Sequence, residues 1–282
     1  MGKKKLAVLI PGRLRFTKLN LDFIKSVFSN FDYHFFITAW DNETSSNINL
    51  FKEHYNPKII EYIKPLEKEE YRERVVYHPK NETFYRDILI KPVTGTFNMF
   101  YSIQKSFENF NKFTKDKNIE YDYVCRFRPD IRLLRNTIDL NSILKKNYNK
   151  ILIPDLYQNY GINDQFAIGN TKIMSKYFKI YDYLEEHINK NKFFHNEYIN
   201  FCFLKKINLK IKYIKLIYEI DRETFTKSRT IRDKPIFFPK TRTKIPFEFK
   251  FDTWLLKQKY KLRNFKEIYI KKTVTKWGQP LL

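Results

Sequence analysis

The sequence predicts an α/β protein with a mixed, mainly parallel sheet and helices on both faces of it. Two observations predict this class. Short runs of β-branched and aromatic residues alternate with longer runs of helical spacing along residues 1–220, and charged residues directly follow several of the short runs, where open α/β sheets bind ligands. With 282 residues, 43% of them hydrophobic, the chain can bury a large core. We expect one domain, residues 1–220, and a basic, aromatic C-terminal extension, residues 221–282.

The predicted elements begin with a β-α-β unit, whose crossover should be right-handed. Lys5 to Ile10 is a predicted strand, Leu19 to Phe28 has helical spacing, and Tyr33 to Thr38 is the next predicted strand. A short helix ending with Phe51 to Tyr55 and a strand at Lys58 to Ile63 follow.

Residues 64–95 are charged, contain three prolines and show no sustained period, so we expect an irregular excursion or a lid there. The pattern then returns. The remaining predicted elements are a helix over Phe97 to Phe113, strands over Tyr121 to Phe127, Lys150 to Pro154 and Asn163 to Gly169, helices over Thr171 to Ile188 and Asn196 to Lys205, and a strand over Lys210 to Ile217.

The strand from Tyr121 ends in the motif Arg126-x-Arg128-Pro129-Asp130. Period-two alternation puts Tyr121, Tyr123, Cys125 and Phe127 on one face and Arg126, Arg128 and Asp130 on the other, and Pro129 ends the ladder. The motif is either an ordinary strand end with a surface ion pair or a ligand site. In the second case the two guanidiniums would bind a diphosphate, and Asp130 would bind a divalent cation or a ribose hydroxyl.

Two further acidic residues are candidates for catalysis. Asp164, between Asn163 and Gln165, either caps a turn before a strand or binds sugar hydroxyls and acts as a base. Glu197, near the start of a predicted helix, either complements the helix dipole or joins the site.

Two loops at the predicted carboxyl edge supply candidates for binding phosphate or nucleotide. Gly12, Arg13 and Arg15 follow the first strand, where backbone amides and guanidiniums can meet phosphate. The second strand ends in Thr38, Trp40 and Asp41, where Trp40 is either a core residue beside a capping aspartate or a ring for ligand binding.

Several other classes of protein are not indicated. The five histidines show no metal spacing, no Gly-x-Ser-x-Gly elbow is present, and the first loop lacks the glycines of a dinucleotide or P-loop site. Two cysteines do not make a disulfide framework and fit a reducing compartment. No run approaches the ~18 apolar residues of a membrane span.

The chain carries a formal charge of +23, and residues 205–282 hold 22 Lys plus Arg against 7 Asp plus Glu. Abundant Lys, Asn, Ile, Phe and Tyr suggest a codon bias as one explanation. An anionic membrane surface is the second, with aromatic residues of 235–282 inserted among lysines. A single-stranded nucleic acid is a third partner for such a surface, but no RRM, KH or helix-turn-helix signature accompanies it, so nucleic acid is not the expected partner.

Five segments taken in order resemble the WavE-like lipopolysaccharide and capsule group of GT-A glycosyltransferases over about residues 5–220. They are Gly12-Arg13-x-Arg15, Phe36-Ile37-Thr38-x-Trp40-Asp41, Met99-x-x-Ser102, Tyr123-x-x-Arg126-x-Arg128-x-Asp130 and Asn163-Asp164-Gln165-Phe166-x-x-Gly169. The resemblance implies a single Rossmann-type nucleotide-binding domain that passes a sugar from a nucleotide-sugar donor to a growing surface glycan, such as a lipopolysaccharide or capsule. A nucleic-acid-binding protein and a catalytically inactive, transferase-like scaffold are the alternatives.

The resemblance also implies roles for the candidate residues. The donor would be bound by Gly12, Arg13, Arg15, Thr38, Trp40, Asp41, Arg126, Arg128 and Asp130, and Asn163, Asp164 and Gln165 would face the sugar or a glycan or lipid-linked acceptor. Asp164 would be the base, with Glu197 as the second candidate. Asp130 would hold Mn²⁺ or Mg²⁺, or the arginines would act without a metal. The expected location is cytoplasmic, either free or peripheral on the inner face of the cytoplasmic membrane.

Overall fold

The structure is a computed structural model, and it describes residues 2–14, 20–68, 93–135, 138–155, 161–191 and 194–220. Its described residues form a seven-stranded mixed sheet, with helices on both faces, and a separate two-stranded ribbon. The predicted α/β class is therefore confirmed. The C-terminal extension, 221–282, lies outside the described residues, so the predicted domain boundary stays a prediction.

The elements have the following bounds. The strands are β1 Lys4–Gly12, β2 Phe31–Trp40, β3 Ile59–Ile63, β4 Tyr123–Phe127, β5 Ile131–Arg135, β6 Ile151–Pro154, β7 Phe166–Asn170, β8 Ile211–Ile214 and β9 Ile217–Ile220. The helices are α1 Asn20–Phe28, α2 Ser45–Tyr55, α3 Val93–Lys117, α4 Leu140–Lys146, α5 Thr171–Tyr177, α6 Leu184–Asn191 and α7 Asn196–Lys206, with a 3₁₀ helix, Phe178–Tyr183, between α5 and α6.

The strand order of the large sheet is β3-β2-β1-β4-β7-β6-β8, and β7 alone runs against the others. Because β7 is antiparallel to β4, its first residue, Phe166, pairs with Phe127 at the end of β4. The loop before β7 therefore lies at the edge where β1, β2 and β4 end. We call this the carboxyl edge.

Each face of the sheet is covered by its own hydrophobic core. Along β1, Ala7 and Leu9 belong to the core with α3, α5 and α7, whereas Leu6, Val8 and Ile10 belong to the core with α1, α2 and α4. All five are fully buried. A strand covered on both faces is expected to be continuously hydrophobic, which explains why the run has no polar alternation.

Three of the sequence predictions about elements are wrong. The segment Thr171 to Ile188 is not one α-helix, because a 3₁₀ helix separates α5 from α6. Its buried residues Tyr177, Ile180 and Tyr183 are three apart, the spacing that a 3₁₀ helix stacks on one side. The predicted strand over Lys210 to Ile217 is two strands, since the chain leaves β6 after Ile214 and pairs with β5 from Ile217.

The third wrong prediction concerns the face on which Tyr121 lies. This residue precedes β4 and packs with Phe36 and Phe110 on the face opposite Tyr123, so the alternation does not extend to it. The sequence also did not predict β5 and α4. Of the predicted excursion, residues 69–92 lie outside the described residues, and α3 begins at Val93 within it.

Within the described ranges, no helix has the length and apolar content needed to cross a bilayer.

Candidate active site

The most polar buried cluster at the carboxyl edge follows β4. The chain turns at Pro129, and the guanidinium of Arg128 donates from Nε to Asp130 Oδ1 at 2.6 Å and from Nη2 to Oδ2 at 2.9 Å. The Asp130 side chain is 1% exposed and that of Arg128 17%. The pair is thus a bidentate fork held in a nearly closed environment, not a surface ion pair.

Electrostatics keep the Arg128 guanidinium charged. Burial lowers its pKa, but the charge and hydrogen bonds of Asp130, together with Asp164 and Tyr218, raise it, so the net shift of the pKa is upward. The contribution of Asp164 shows that the loop before β7 lies close to the fork.

Arg126 lies in β4, two residues before Arg128, and is 4% exposed. Its Nε and Nη1 atoms are buried and have no hydrogen-bond partner in the part of the chain that the structure describes. The phenol of Tyr177 is near it, since burial raises the pKa of Tyr177 to about 12 while Arg126 lowers that pKa and Asp164 raises it. A buried guanidinium with unused N–H groups is energetically costly unless an anion completes it. Arg126 is therefore the residue of the edge most suited to bind one.

The loop before β7 is held by a buried network around Tyr218 of β9. Tyr218 accepts a hydrogen bond from Asn163 Nδ2 at 2.7 Å and donates one to Gln165 Oε1 at 3.0 Å. Asn163 Oδ1 accepts from the backbone N–H of Gln165 at 2.8 Å. The side chains of Asn163 and Gln165 thus shape the loop, and they hold Asp164 between them.

Asp164 is 6% exposed, and its Oδ2 lies 3.5 Å from Asn196 Nδ2, the length of a weak hydrogen bond. Asn196 is itself held by Thr96, whose hydroxyl donates to Asn196 Oδ1 at 2.9 Å. Because Thr96 lies on α3 and Asn196 begins α7, both helices fix the position of the carboxylate.

Glu197 is adjacent to this loop through its backbone. Its carbonyl oxygen accepts a hydrogen bond from the N–H of Ile162 at 2.9 Å. Glu197 as a whole is 6% exposed. Gly161 packs so closely on this carbonyl that a Cβ atom would lie 2.1 Å from the oxygen. The glycine is thus required for the loop to reach α7.

The first loop lies beside α3. Gly12 has φ +85°, and a Cβ atom there would lie 3.1 Å from Ser102 Oγ and 3.7 Å from Trp40 Nε1. The Leu14 N–H donates to Glu43 Oε2 at 2.8 Å, which ties this loop to the end of β2. The arrangement brings Gly12 and Trp40 together at the edge.

The other predicted donor residues differ in their surroundings. Thr38 is buried, and its hydroxyl accepts from Asn109 Nδ2 of α3 at 3.2 Å. Arg13 and Asp41 are exposed, and Arg15 lies outside the described residues. The binding roles predicted for these residues stay predictions.

Sequence reasoning missed four residues that organise the site. They are Tyr218, Asn196 and Glu43, whose side chains contact loops of the carboxyl edge, and Thr96, whose side chain holds Asn196. Asn196 stands directly before the candidate Glu197, which was an available signal. The sequence contains no comparable signal for Tyr218, because the role of this residue depends on the pairing of β9 with β5.

The residues at the edge are a poor fit to a divalent metal ion. Both oxygens of Asp130 already accept hydrogen bonds from a guanidinium, and the described residues contain no cluster of three histidine, cysteine, aspartate or glutamate side chains that could hold a metal. A Mn²⁺ or Mg²⁺ ion prefers several oxygen ligands without a neighbouring cation.

Two surface depressions lie away from this edge. One, of about 360 Å³, is lined mainly by Lys145, Lys146, Lys150 and Lys210 near the starts of β6 and β8, and the other, of about 370 Å³, lies beside His34, His54 and Lys58. Neither contains a predicted site residue.

Comparison with known proteins finds similarity among solved structures only. No protein-family model matches the chain, and no curated protein sequence matches it. Similar structures include core-mannan synthase A from Aspergillus fumigatus in a Mn/GDP form, at 12% identity over 78% of this chain and 74% of that one, with a TM-score of 0.47. The mannosyltransferase Ktr4p from S. cerevisiae, solved with and without GDP, is 14% identical over 77% of this chain, with a TM-score of 0.45.

A bacterial structure is similar at a lower score. It is a protein from Desulfovibrio desulfuricans described as a nucleotide-diphospho-sugar transferase, 10% identical over 76% of this chain and 80% of that one, with a TM-score of 0.38.

Proposed function

We propose that this protein is a glycosyltransferase that takes a sugar from a nucleotide-sugar donor and passes it to a growing surface glycan. The observation that carries the proposal is Arg126, a buried guanidinium with two nitrogens that lack a hydrogen-bond partner among the described residues. It lies near the carboxyl end of β4, two residues before the arginine that is paired with Asp130. A nucleoside diphosphate is the anion that fits such a pair of guanidiniums.

The donor would lie along the carboxyl edge from β2 to β7. Gly12 is buried beside Trp40 and Ser102, and the nucleoside would bind next to this group. The diphosphate would then reach Arg126 and Arg128, and the sugar would lie towards Asp164.

Asp164 is the proposed base. The acceptor oxygen forms a bond to the anomeric carbon while the bond from that carbon to the phosphate oxygen breaks, and the acceptor's proton passes to the Asp164 carboxylate. The electron pair of the broken bond stays on the departing nucleotide. Asp164 is preferred to Glu197 because its carboxylate acts electrostatically on both Arg128 and Tyr177.

The proposed acceptor is a lipopolysaccharide, capsule or related glycan, free or linked to lipid. The motif resemblance to the WavE-like group supports this choice. The basic extension supports a cytoplasmic enzyme peripheral to the inner face of the membrane, since each lysine or arginine near an anionic surface adds roughly 1 kcal/mol. Flotation with anionic liposomes should capture the full chain, and failure to float would rule out the membrane partner.

Release of free nucleotide from donor sugars tests the proposal. The full-length protein is incubated with UDP-, GDP-, CMP- and dTDP-sugars, and the nucleotides are separated by chromatography. One donor class should be hydrolysed slowly without acceptor and faster with a glycan. Binding of a donor without any turnover would instead indicate an inactive scaffold, and tight, salt-sensitive binding of oligonucleotides without donor binding would indicate the nucleic-acid alternative.

A further inference from the structure

We propose that Arg126 and Arg128 stabilise the departing nucleotide without a divalent metal ion, and that Asp130 positions Arg128. This inference rests on the proposed function, because it concerns the leaving group of the same reaction. Three observations carry it: the occupied carboxylate of Asp130, the unused donors of Arg126, and the lack of a metal-ligand cluster among the described residues.

Both carboxylate oxygens of Asp130 are already hydrogen-bonded to Arg128. In the Arg128 fork, each carboxylate oxygen accepts one N–H at 2.9 Å or less, and the residue is fully buried. A metal ion at these oxygens would stand next to the guanidinium and would have to displace it. Asp130 instead fixes the plane of the Arg128 guanidinium, in the way that a hydrogen-bond partner orients a side chain that binds a metal ion.

The departing nucleotide gains negative charge during the reaction. When the bond to the sugar breaks, its electron pair remains on the phosphate oxygen, which gains negative charge. A preorganised guanidinium needs no rearrangement to receive this charge, and a site that excludes water strengthens the interaction. Arg126 Nε and Nη1 are buried and have no hydrogen-bond partner among the described residues, so on this proposal they donate the hydrogen bonds that are strongest after the bond has broken.

The side chain beside Arg126, Tyr177, does not neutralise the charge of the arginine. The hydroxyl of Tyr177 is near it, but a tyrosine phenol is neutral at pH 7, so this group does not compensate the positive charge. A purely structural buried arginine would be expected to have its N–H groups paired. The unpaired donors indicate that the site is completed by an anionic ligand.

Nucleotide binding measured with and without metal tests the inference. The full-length protein is titrated calorimetrically with UDP, GDP, CMP and dTDP, once in EDTA and once in Mn²⁺ or Mg²⁺. We expect one nucleotide to bind in EDTA with a Kd that metal changes by less than about threefold. A nucleotide that binds only with metal, or about tenfold or more tightly with it, would overturn this inference and leave the proposed function standing. If none binds in either buffer, the proposed function fails as well.

Two substitutions of Arg126 separate binding from folding. Arg126→Met keeps the length of the side chain without its charge and should weaken nucleotide binding in EDTA about 10- to 100-fold. Arg126→Lys keeps the charge but not the fork and should give an intermediate loss. Lys145→Gln, which removes a positive charge at an exposed position far from the carboxyl edge, should bind as the natural protein does.

The melting temperature of the nucleotide-free protein distinguishes an Arg126 that binds ligand from one that only stabilises the fold. Since Arg126→Met removes a buried charge with unpaired donors, the ligand-free protein should melt at the same temperature or higher. A variant that melts lower and binds nucleotide normally would show that Arg126 serves the fold, and the inference would be wrong.

Discussion

Tyr218 Oη accepts a hydrogen bond from Asn163 Nδ2 at 2.7 Å, which joins the two-stranded ribbon to the loop that carries Asp164. The ribbon partner, β5, starts one residue after Asp130. Both the arginine fork and the candidate base are therefore attached to one small structure, and changes in that ribbon should affect them together.

Tyr218→Phe should reduce both stability and turnover. The substitution leaves Asn163 Nδ2 and Gln165 Oε1 buried without this partner, which costs about 1–3 kcal/mol of unfolding free energy. Urea unfolding measures the cost, and nucleotide release should fall more than nucleotide affinity does. Tyr148→Phe, at a side chain 56% exposed, is the matched control. Unchanged stability in Tyr218→Phe would contradict the role of the network.

Gly161→Ala should destabilise the protein strongly. The new Cβ atom would lie 2.1 Å from the carbonyl oxygen of Glu197, so loop and helix must separate, at a cost of more than about 2 kcal/mol. Gly2→Ala is the control, because a Cβ atom there meets nothing within 4 Å. Equal unfolding midpoints for the two variants in guanidinium would disprove the close contact.

Asp164→Asn should lower turnover about 10²- to 10⁴-fold, because the amide accepts no proton from the acceptor. Donor affinity should change little, since the amide keeps the volume of the carboxylate. Glu197→Gln should have the smaller effect on turnover. Single-turnover rates and nucleotide Kd values distinguish the two variants, and an active Asp164→Asn protein would rule out Asp164 as the base.

His34 should make stability depend on pH. Burial lowers its pKa below the usual 6.5, as do Lys58 and Lys5, although Asp32 opposes them. Since the unfolded chain then binds the proton more readily, the contribution of neutral His34 is fully present above about pH 6.5 and is lost as the pH falls through the lowered folded pKa.

The measurement is the unfolding free energy between pH 5 and pH 8. The slope with pH should be shallower in His34→Gln than in the natural protein, whereas His54→Gln, a substitution on α2, serves as the control for loss of a histidine. A steeper slope in His34→Gln would mean that the sign of the pKa shift is wrong.

The sequence predicted the sheet well because its signal is local. The run Leu6 to Ile10, covered on both faces, and the arginines after Phe127 are adjacent residues whose meaning follows from strand geometry alone. The parallel arrangement then brings Gly12, Trp40 and Arg128 to one edge without further information.

What the sequence could not predict depends on distant pairing. The apolar spacing over Thr171 to Ile188 fits an α-helix and a 3₁₀ helix almost equally, and packing against α3 decides between them. Similarly, Tyr218 looks like any strand tyrosine until β9 joins β5. The bidentate contact of Arg128 with Asp130 also requires the turn at Pro129, so the motif alone favoured a surface ion pair over a ligand site.

The pairing of Ile131 with Ile220 has a consequence for the order of folding. During synthesis, β1 to β4 can associate while the rest of the chain is still being made, because all four strands precede Arg128 in the chain. The ribbon must wait until β9, the last of the described strands, has left the ribosome. A nascent chain that ends before Tyr218 should therefore already contain most of the sheet but have no ordered loop around Asp164, so the ability to hold donor is acquired last.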